Sequence, residues 1–395
     1  MDKTTWQRVK LGEIAESIVS GGTPLTSKSE YYNGAIPWLN TKEVKNNRIY
    51  FTEKTITEFG LANSSAKWIE KDSVIVAMYG ATAGKVAINK IPLTTNQACC
   101  NITLDANKAD YNFIYYTLLN SFEKLEQMTS GAAQQNLNVG LISNFSFSLP
   151  PLETQQRIAE ILSSLDDKID LLHRQNKTLE SLALTLFRHT FIDNPNRNAW
   201  EEVTLNDICL KIASGGTPST RIKEYYSGKI NWYSTKELDD NFLFDSIQTI
   251  TEAGLENSSA KLFPKDTIII AIYAAPTVGR LGILTQDSAF NQAACGLIID
   301  ETKCSKEFVF CFLKNERENL NLLASGSAQQ NLNVEKIKRY TLFLPDKITF
   351  NDFQIQAKEF FDKIYNNYKQ IQNLESLRDI MLQKLLSGEM EIKGD

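Results

Sequence analysis

The residues of this chain whose types suit chemistry are polar loop residues, and they occur twice. Thr41-Lys42-Glu43 returns as Thr235-Lys236-Glu237. The loop from Tyr79 to Lys85 returns as Tyr273 to Arg280, and both copies end in a glycine followed by a cation. Lys and Arg bind phosphates or guanine edges and Gln can read adenine edges, so these loops suit DNA. The predicted contact residues are Thr41, Lys42, Tyr79, Thr82, Lys85, Gln134, Thr235, Lys236, Tyr273, Thr277, Arg280 and Gln329.

A structural role explains some of the same repeated sequences. Ser20-Gly21-Gly22-Thr23-Pro24 and its copy at 214–218 are typical of a turn, and the repeated Asn-Gln pair at 96–97 and 291–292 suits a strand cap. We favour the structural role for the two turns. For the cations, DNA contact and a structural role stay open alternatives; these cations are Lys42, Lys85, Lys236 and Arg280.

Motifs for catalysis and for metal binding are missing from the sequence. It contains neither the GxxxxGK[ST] phosphate loop nor the GxGxxG dinucleotide fingerprint. Its six cysteines show no CxxC spacing, and only two histidines, His173 and His189, could complete a zinc site. We therefore expect reduced, structural thiols, no metal and no catalytic activity in this chain.

The polar loops belong to a globular domain that occurs twice in the sequence. The repeated segments return 194 or 195 residues later, which is the length of a whole domain and not of a small solenoid unit. The β-branched runs 73–79 and 267–273 predict buried strands, whereas 111–127 and 306–323 have helical patterning. Each copy is therefore predicted to be an α+β domain, and a duplicated chain should bind something with two related halves.

Each copy is followed by a segment that predicts one long helix. Residues 153–191 lack Gly and Pro, and their apolar residues recur at heptad spacing, as do those of the C-terminal segment. A twofold relation between the copies would pair the two helices as an antiparallel coiled coil. Asn176 and Asn367 each occupy a seam position, where a polar residue fixes register; the alternative is that they face solvent. The predicted interface residues are Ile158, Leu162, Leu165, Ile169, Asn176, Leu179, Phe360, Ile364, Asn367, Ile371 and Leu374.

These patterns divide the 395 residues into four parts. The predicted division is domain 1 at 1–150, a long helix at 151–192, domain 2 at 193–346, and a second long helix with a tail at 347–395. The formal net charge of −5 argues against a purely electrostatic nucleic-acid binder, because such binders neutralise many phosphates. The N-terminal sequence shows no signal pattern and no apolar run is long enough to span a bilayer, so we expect a cytoplasmic protein.

In its order of motifs, the chain resembles the specificity subunit of Type I restriction-modification systems over nearly its whole length. Each motif is weak alone, but their order, found twice, is highly specific. The second copy departs from the family pattern at Leu344-Pro345-Asp346, which lacks the double Pro of the first, and at Phe353-Gln354-Ile355-Gln356. The matching elements are the Ser-Gly-Gly-Thr-Pro turns, the Trp38 and Trp232 segments, the glycine-cation and Asn-Gln elements, the loops at 131–134 and 326–329, Leu149-Pro150-Pro151, and Gln155-Gln156-Arg157-Ile158.

The resemblance implies two target recognition domains separated by two long helices. Each domain would read one half of a bipartite, gapped DNA site, and the helices would dock two methyltransferase subunits. Restriction subunits would join through that complex. The chain itself would bind no cofactor, and the partner subunits would use S-adenosylmethionine, ATP and magnesium. The partners implied are double-stranded DNA and these subunits, with no membrane.

Two other functions are compatible with a duplicated chain. A stand-alone repressor should bind DNA tightly with a steep salt dependence, and the acidic balance speaks against that. A protein scaffold built on the coiled coil would not need matched cation loops in both copies.

Overall fold

The computed structural model of the chain describes residues 6–121, 136–273, 277–325 and 332–390. The chain forms two compact units: unit 1 comprises Met1–Ile169 with Asn373–Asp395, and unit 2 comprises Asp170–Gln372. Each unit contains one α+β domain, called domain 1 (residues 7–149) and domain 2 (residues 201–344), together with one part of each long helix. The fourfold division of the chain drawn from the sequence stays a prediction.

The described residues of domain 1 form ten strands in three sheets. The central sheet has the order β2-β9-β6-β7-β4, a second sheet has the order β5-β3-β8, and β1 pairs with β10. All four residues of β6 and of β7 are buried, which explains why both read as apolar runs. The strands are β1 Gln7–Lys10, β2 Ala15–Ser20, β3 Tyr32–Leu39, β4 Asn47–Ile49, β5 Lys54–Ile56, β6 Val74–Ala77, β7 Val86–Asn89, β8 Thr94–Thr95, β9 Cys99–Leu104 and β10 Ser146–Leu149.

Domain 2 repeats this topology strand for strand. Its sheets have the orders β12-β19-β16-β17-β14, β15-β13-β18 and β11-β20, so every pairing of domain 1 recurs. The pairings also keep their sense, since β3 with β8 and β13 with β18 are both parallel. The strands are β11 Glu201–Thr204, β12 Cys209–Ser214, β13 Tyr226–Tyr233, β14 Asn241–Leu243, β15 Gln248–Ile250, β16 Ile268–Ala271, β17 Leu281–Leu284, β18 Ala289–Phe290, β19 Ala294–Ile299 and β20 Thr341–Leu344.

Short helices cover the sheets, and two of them differ from the predicted ranges. The helix predicted at 111–127 ends at Leu119, and the described residues continue only to 121. The helix predicted at 306–323 is interrupted at Glu316, whose carboxylate accepts a hydrogen bond from the Tyr340 hydroxyl at 2.8 Å. The short helices are α1 Leu11–Ile14, α2 Glu58–Ala62, α3 Tyr111–Leu119, α4 Val139–Ser143, α6 Glu252–Glu256, α7 Lys306–Asn315, α8 Arg317–Ser325 and α9 Val334–Lys338.

The two long helices are α5, Leu152–Phe187, which continues as a π-helical turn at Arg188–Ile192, and α10, Lys347–Ser387. In unit 1 the start of α5 lies along the end of α10, where Asp166 bonds to Arg378. In unit 2 Asn176 of α5 bonds to Asn367 of α10. Phe187, which lies further along α5 than Asn176, contacts Phe353, which lies before Asn367 in α10. The segments therefore run antiparallel in each unit, and the predicted fold class is confirmed.

Both long helices begin at the same position of the repeat, although the residues that precede them differ. Pro150 and Pro151 come before α5, whereas Asp346 comes directly before α10. The Asp346 carboxylate accepts hydrogen bonds from the backbone N–H groups of Ile348 and Thr349 at 3.1 and 3.0 Å. Because a carboxylate satisfies the free N–H groups of the first turn, Asp346 starts the helix without the double proline.

Candidate nucleic-acid interface and helix interface

The repeated Ser-Gly-Gly-Thr-Pro turn is held by the same contacts in both domains. The indole N–H of Trp38 donates to the Gly22 carbonyl at 2.9 Å, and Trp232 donates to Gly216 at the same distance. A Cβ at Gly22 would collide with the backbone nitrogen of Ala66, so only glycine fits. These contacts give the turn a structural role, and the Asn-Gln segment takes part because the Gln97 side chain bonds to Thr23.

In domain 1 the repeated Thr-Lys-Glu sequence forms a 3-10 turn whose lysine is already paired. Asn40 precedes the turn and its side chain accepts a hydrogen bond from the Lys42 backbone N–H. The Lys42 ammonium lies 2.5 Å from the Glu53 carboxylate, and this bond raises the pKa of Lys42 and lowers that of Glu53. Lys42 remains exposed, but its charge is partly balanced within the domain.

In domain 2 the equivalent lysine lacks that carboxylate. Ile247 stands at the position of Glu53 and is 85% exposed. Lys236 is exposed, and the described residues place no carboxylate within ion-pair distance of it. Thr235, which begins the turn, is buried. The two copies therefore present the same turn with a different local charge.

The second pair of loops carries the predicted cations Lys85 and Arg280. In domain 1 the Thr82 hydroxyl donates to the Thr41 carbonyl at 2.8 Å, which joins this loop to the Thr-Lys-Glu turn. In domain 2 Thr277 is buried, and its hydroxyl donates within its own loop to the Tyr273 carbonyl. Both cations are half-buried, as are Tyr79 and Tyr273.

The structure thus brings Thr41, Lys42, Thr82 and Lys85 onto adjoining loops of domain 1. It places Lys236 at the surface of domain 2 and leaves little of Thr235 and Thr277 open to a ligand. Gln134 and Gln329, with the loops at 131–134 and 326–329, lie outside the described residues. DNA contact by all of these residues stays a prediction.

The predicted helix interface is largely buried. Asn367 donates its side-chain N–H groups to the side-chain oxygens of Asn176 at 2.7 Å and Gln175 at 2.9 Å, so both seam asparagines face protein. Four predicted residues are only half-buried, namely Leu165, Leu179, Phe360 and Leu374. The buried ones are Ile158, Leu162, Ile169, Asn176, Ile364, Asn367 and Ile371.

An ion pair in unit 1 between the buried Asp166 and the half-buried Arg378 was not predicted from the sequence. The Asp166 carboxylate accepts hydrogen bonds from the Arg378 guanidinium at 3.0 Å and from the Tyr116 hydroxyl at 2.6 Å. The pKa of the Tyr116 hydroxyl is raised, mainly by burial and secondly by the negative charge of Asp166. The signal that could have revealed this pair is Arg378, a charged residue at a heptad position of α10.

Segments that differ between the copies lie against the long helices. Arg48 of domain 1 is 5% exposed at its side chain, bonds to Asp167 at 2.5 Å and donates to the Ser163 carbonyl. In domain 2 Phe242 stands at the position of Arg48 and contacts the ring of Tyr365 at 5.3 Å. The first part of each of the segments 46–59 and 239–251 therefore joins its domain to the helices.

The described parts of the chain contain no group of three or more His, Cys, Asp or Glu side chains that could hold a metal ion. No described helix is both long and apolar enough to cross a membrane. The six cysteines form no disulfide. Burial raises the pKa of the five buried thiols, for example Cys100 and Cys295, and also that of the half-buried Cys209.

Comparisons with known proteins agree with this architecture. Residues 3–181 and 198–377 each match the family described as Type I restriction modification DNA specificity domain. The chain is 29% identical to the Type I restriction enzyme MjaIX specificity subunit of Methanocaldococcus jannaschii, over 98% of this chain and 94% of that one. It is 23% identical to the HindI specificity subunit of Haemophilus influenzae, over 98% and 99% of the two chains.

A solved structure shows the same fold. The S subunit of the Type I restriction-modification system from M. genitalium superposes with a TM-score of 0.59 over 98% of this chain and 97% of that one, at 16% identity. The family match covers both copies, which share their sheet topology and the Trp–Gly contact of the repeated turn. The chain therefore belongs to the Type I restriction modification DNA specificity domain family, as a two-domain, non-catalytic specificity subunit of a Type I restriction-modification system.

Proposed function

We propose that each recognition domain of this subunit reads one half of a bipartite, gapped DNA site, and that the long helices dock two methyltransferase subunits. The observation that carries the proposal is the exact repetition of the sheet topology and turn contacts, combined with loops that differ in charge. A repeated framework presents two surfaces of the same shape, and divergent side chains let each surface prefer its own bases.

The cations at the ends of the repeated loops support the DNA contact. Gly84 and Gly279 have φ values of +80° and +82°, so each loop turns sharply just before Lys85 or Arg280. Arg can bind a guanine edge with two hydrogen bonds, whereas Lys binds as a point charge, so this substitution suits two different half-sites.

The helices offer a repeated apolar residue for docking. Leu182 and Leu377 occupy the same place in the repeated sequence Leu-Glu-Ser-Leu, and they are 48% and 45% exposed. An exposed leucine at equivalent positions of both copies suits two identical partner subunits, because each partner would meet the same residue. The net charge of −5 also favours partners that help to hold the DNA.

The catalytic steps belong, in this proposal, to the partner subunits. The methyltransferase subunits would use S-adenosylmethionine to methylate adenine, and restriction subunits joined through them would use ATP and magnesium. This chain would bind no cofactor, and it would act in the cytoplasm, where the DNA is.

Charge reversal tests the DNA contacts. In the complex with the methyltransferase subunits, Lys85→Glu or Arg280→Glu should weaken binding of the cognate DNA by about tenfold or more, since each removes a phosphate or base contact. Lys168→Glu, on the exposed side of α5, is the matched control and should leave affinity unchanged. Fluorescence anisotropy measures the affinity, and wild-type affinity in both loop variants would refute the assignment of these loops.

Docking is tested by Leu182→Glu and Leu377→Glu. Each should reduce the methyltransferase that co-purifies with this chain, because a carboxylate would enter an apolar contact. Leu171→Glu is the control, since Leu171 is also exposed but Asn366 stands at its repeat position. If all three variants retain two methyltransferase subunits by native mass spectrometry, the leucines do not dock them.

A further inference from the structure

The ion pair of unit 1 between Asp166 and Arg378 has no counterpart at the equivalent positions of unit 2. By the repeat, Tyr116 corresponds to Cys311, Asp166 to Phe361 and Arg378 to Ala183. Cys311, Phe361 and Ala183 are buried together in the apolar cluster of unit 2. The contact between the two long helices is therefore charged at this point of unit 1, whereas the equivalent point of unit 2 is apolar.

A second polar layer has the same asymmetry. Asn176 and Asn367 are bonded to each other in unit 2. Their repeat positions are occupied by Ile371 and Leu172, which are both buried. In these two layers, each polar residue thus meets a polar residue on the other helix, while its own repeat equivalent is apolar.

We infer that these two layers specify which helix pairs with which: they favour α5 with α10 and oppose the pairing of equivalent helices from two copies of the chain. In an antiparallel pairing of α5 with a second α5, Asp166 would face Ala183 and Asn176 would face Leu172. In a pairing of α10 with a second α10, Arg378 would face Phe361 and Asn367 would face Ile371. Each such pairing places a charged or amide group against an apolar residue twice over, so that Asp166 keeps only the Tyr116 hydroxyl and Arg378 keeps only Asp379 of its own helix.

The physical basis is the large penalty for an unpaired buried charge. Removing one partner of a buried ion pair is strongly unfavourable, whereas the complete pair is close to neutral relative to apolar residues. The pair therefore adds specificity more than stability, as polar seam residues do in other coiled coils. Such specificity matters in a duplicated chain, because two similar copies could exchange equivalent helices between molecules. The inference rests on the fold and not on the proposed DNA contacts.

Complementary charge reversals in two full-length chains test the inference. One chain carries Asp166→Arg and a different affinity tag from the second, which carries Arg378→Asp. When either variant chain is expressed alone, the side chains at positions 166 and 378 carry like charges and face each other. Expressed together, the chains can restore both ion pairs only by exchanging helices, so the fraction that co-purifies should exceed that of two tagged wild-type chains by about tenfold or more.

The control is the double reversal Asp166→Arg with Arg378→Asp in one chain. This variant restores the pair within the molecule, so it should co-purify with a second tagged copy no more than wild type does. Co-purification of the complementary chains at the wild-type level would overturn the inference. So would a double reversal that exchanges as much as the complementary chains, because the effect would then not depend on the pairing of the charges.

Discussion

The junctions that join each domain to the long helices are equivalent by repeat but opposite in chemistry. In unit 1 the junction is polar, with Arg48 bonded to Asp167 and with Asp166 held by Arg378 and Tyr116. In unit 2 it is aromatic, with Phe242 and Phe244 against Tyr365, and with Phe361 in contact with both Phe242 and Phe310.

The two Ser-Gly-Gly-Thr-Pro turns show the opposite behaviour, because their contacts are the same in both domains. The bond from Trp38 to Gly22 and the bond from Trp232 to Gly216 have equal lengths. The difference indicates two kinds of constraint. The sheet framework holds its turns in the same shape in both domains, whereas each junction has only to fit its own pair of helix segments. The junctions were therefore free to diverge and can distinguish the two copies.

The aromatic junction should be the more sensitive to loss of volume. Phe353 is buried and its ring lies 4.8 to 6.3 Å from those of Phe187, Phe191 and Phe308. Phe353→Ala should reduce the free energy of unfolding of unit 2 by about 4 kcal/mol, because the cavity cannot fully collapse. Native-state hydrogen exchange, read separately for unit 1 and unit 2, measures the loss.

Ile355→Ala is the control for Phe353→Ala. Ile355 lies two residues further along the same helix and is 63% exposed, so its truncation should change the free energy by less than about 0.5 kcal/mol. If Phe353→Ala cost no more than this control, the ring cluster would not stabilise the junction.

The polar junction should instead be sensitive to the loss of one partner. Arg378→Met leaves Asp166 buried with only the Tyr116 hydroxyl from this network, and should lower the free energy of unfolding of unit 1 by about 3 kcal/mol. The triple variant Tyr116→Phe, Asp166→Leu, Arg378→Met removes the whole network, and it should lie within about 1 kcal/mol of wild type.

The same hydrogen-exchange experiment compares these two variants with Lys384→Met, an exposed substitution on the same helix. A triple variant that is less stable than Arg378→Met would contradict the view that the pair contributes mainly specificity. It would mean that the charged network itself supplies the stability of unit 1.

The smallest expected effect is a difference between the two Thr-Lys-Glu turns in how strongly their lysines contribute to the salt dependence of DNA binding. Lys42 is paired with Glu53, whereas the exposed Ile247 stands at the position of Glu53 in domain 2. In the complex with the methyltransferase subunits, Lys236→Gln should reduce the slope of log affinity against log salt by about 1, because one phosphate contact is lost. Lys42→Gln should reduce it by less, since its charge is already partly balanced. Equal changes in slope would show that Glu53 does not moderate Lys42.

The sequence was sufficient to predict the duplicated α+β domains and the two long helices, because repeat length and apolar periodicity are global signals. It was insufficient for the exact seam. The heptad pattern selected Leu165 and Phe360, but the structure buries Asp166 and Phe361 instead. An α-helix has 3.6 residues per turn, so its buried face drifts relative to a strict heptad repeat.

Contacts between distant residues also escaped prediction. Arg48 and Asp167 are 119 residues apart in the chain, and no local pattern marks them as partners. Lys42 and Glu53 are closer, but their pairing depends on how the turn folds onto β5. The candidate DNA contacts are less determined than the fold for the same reason, since exposure and pairing decide which repeated cations can reach a ligand.

The most direct test of the central claim is long-read methylation mapping of the source genome with and without this gene. We expect the intact strain to carry methyladenine in a bipartite, gapped motif, and deletion of the gene to remove methylation from both half-sites together. A gapped motif that persists unchanged after deletion would contradict the claim that this chain supplies the specificity of the system.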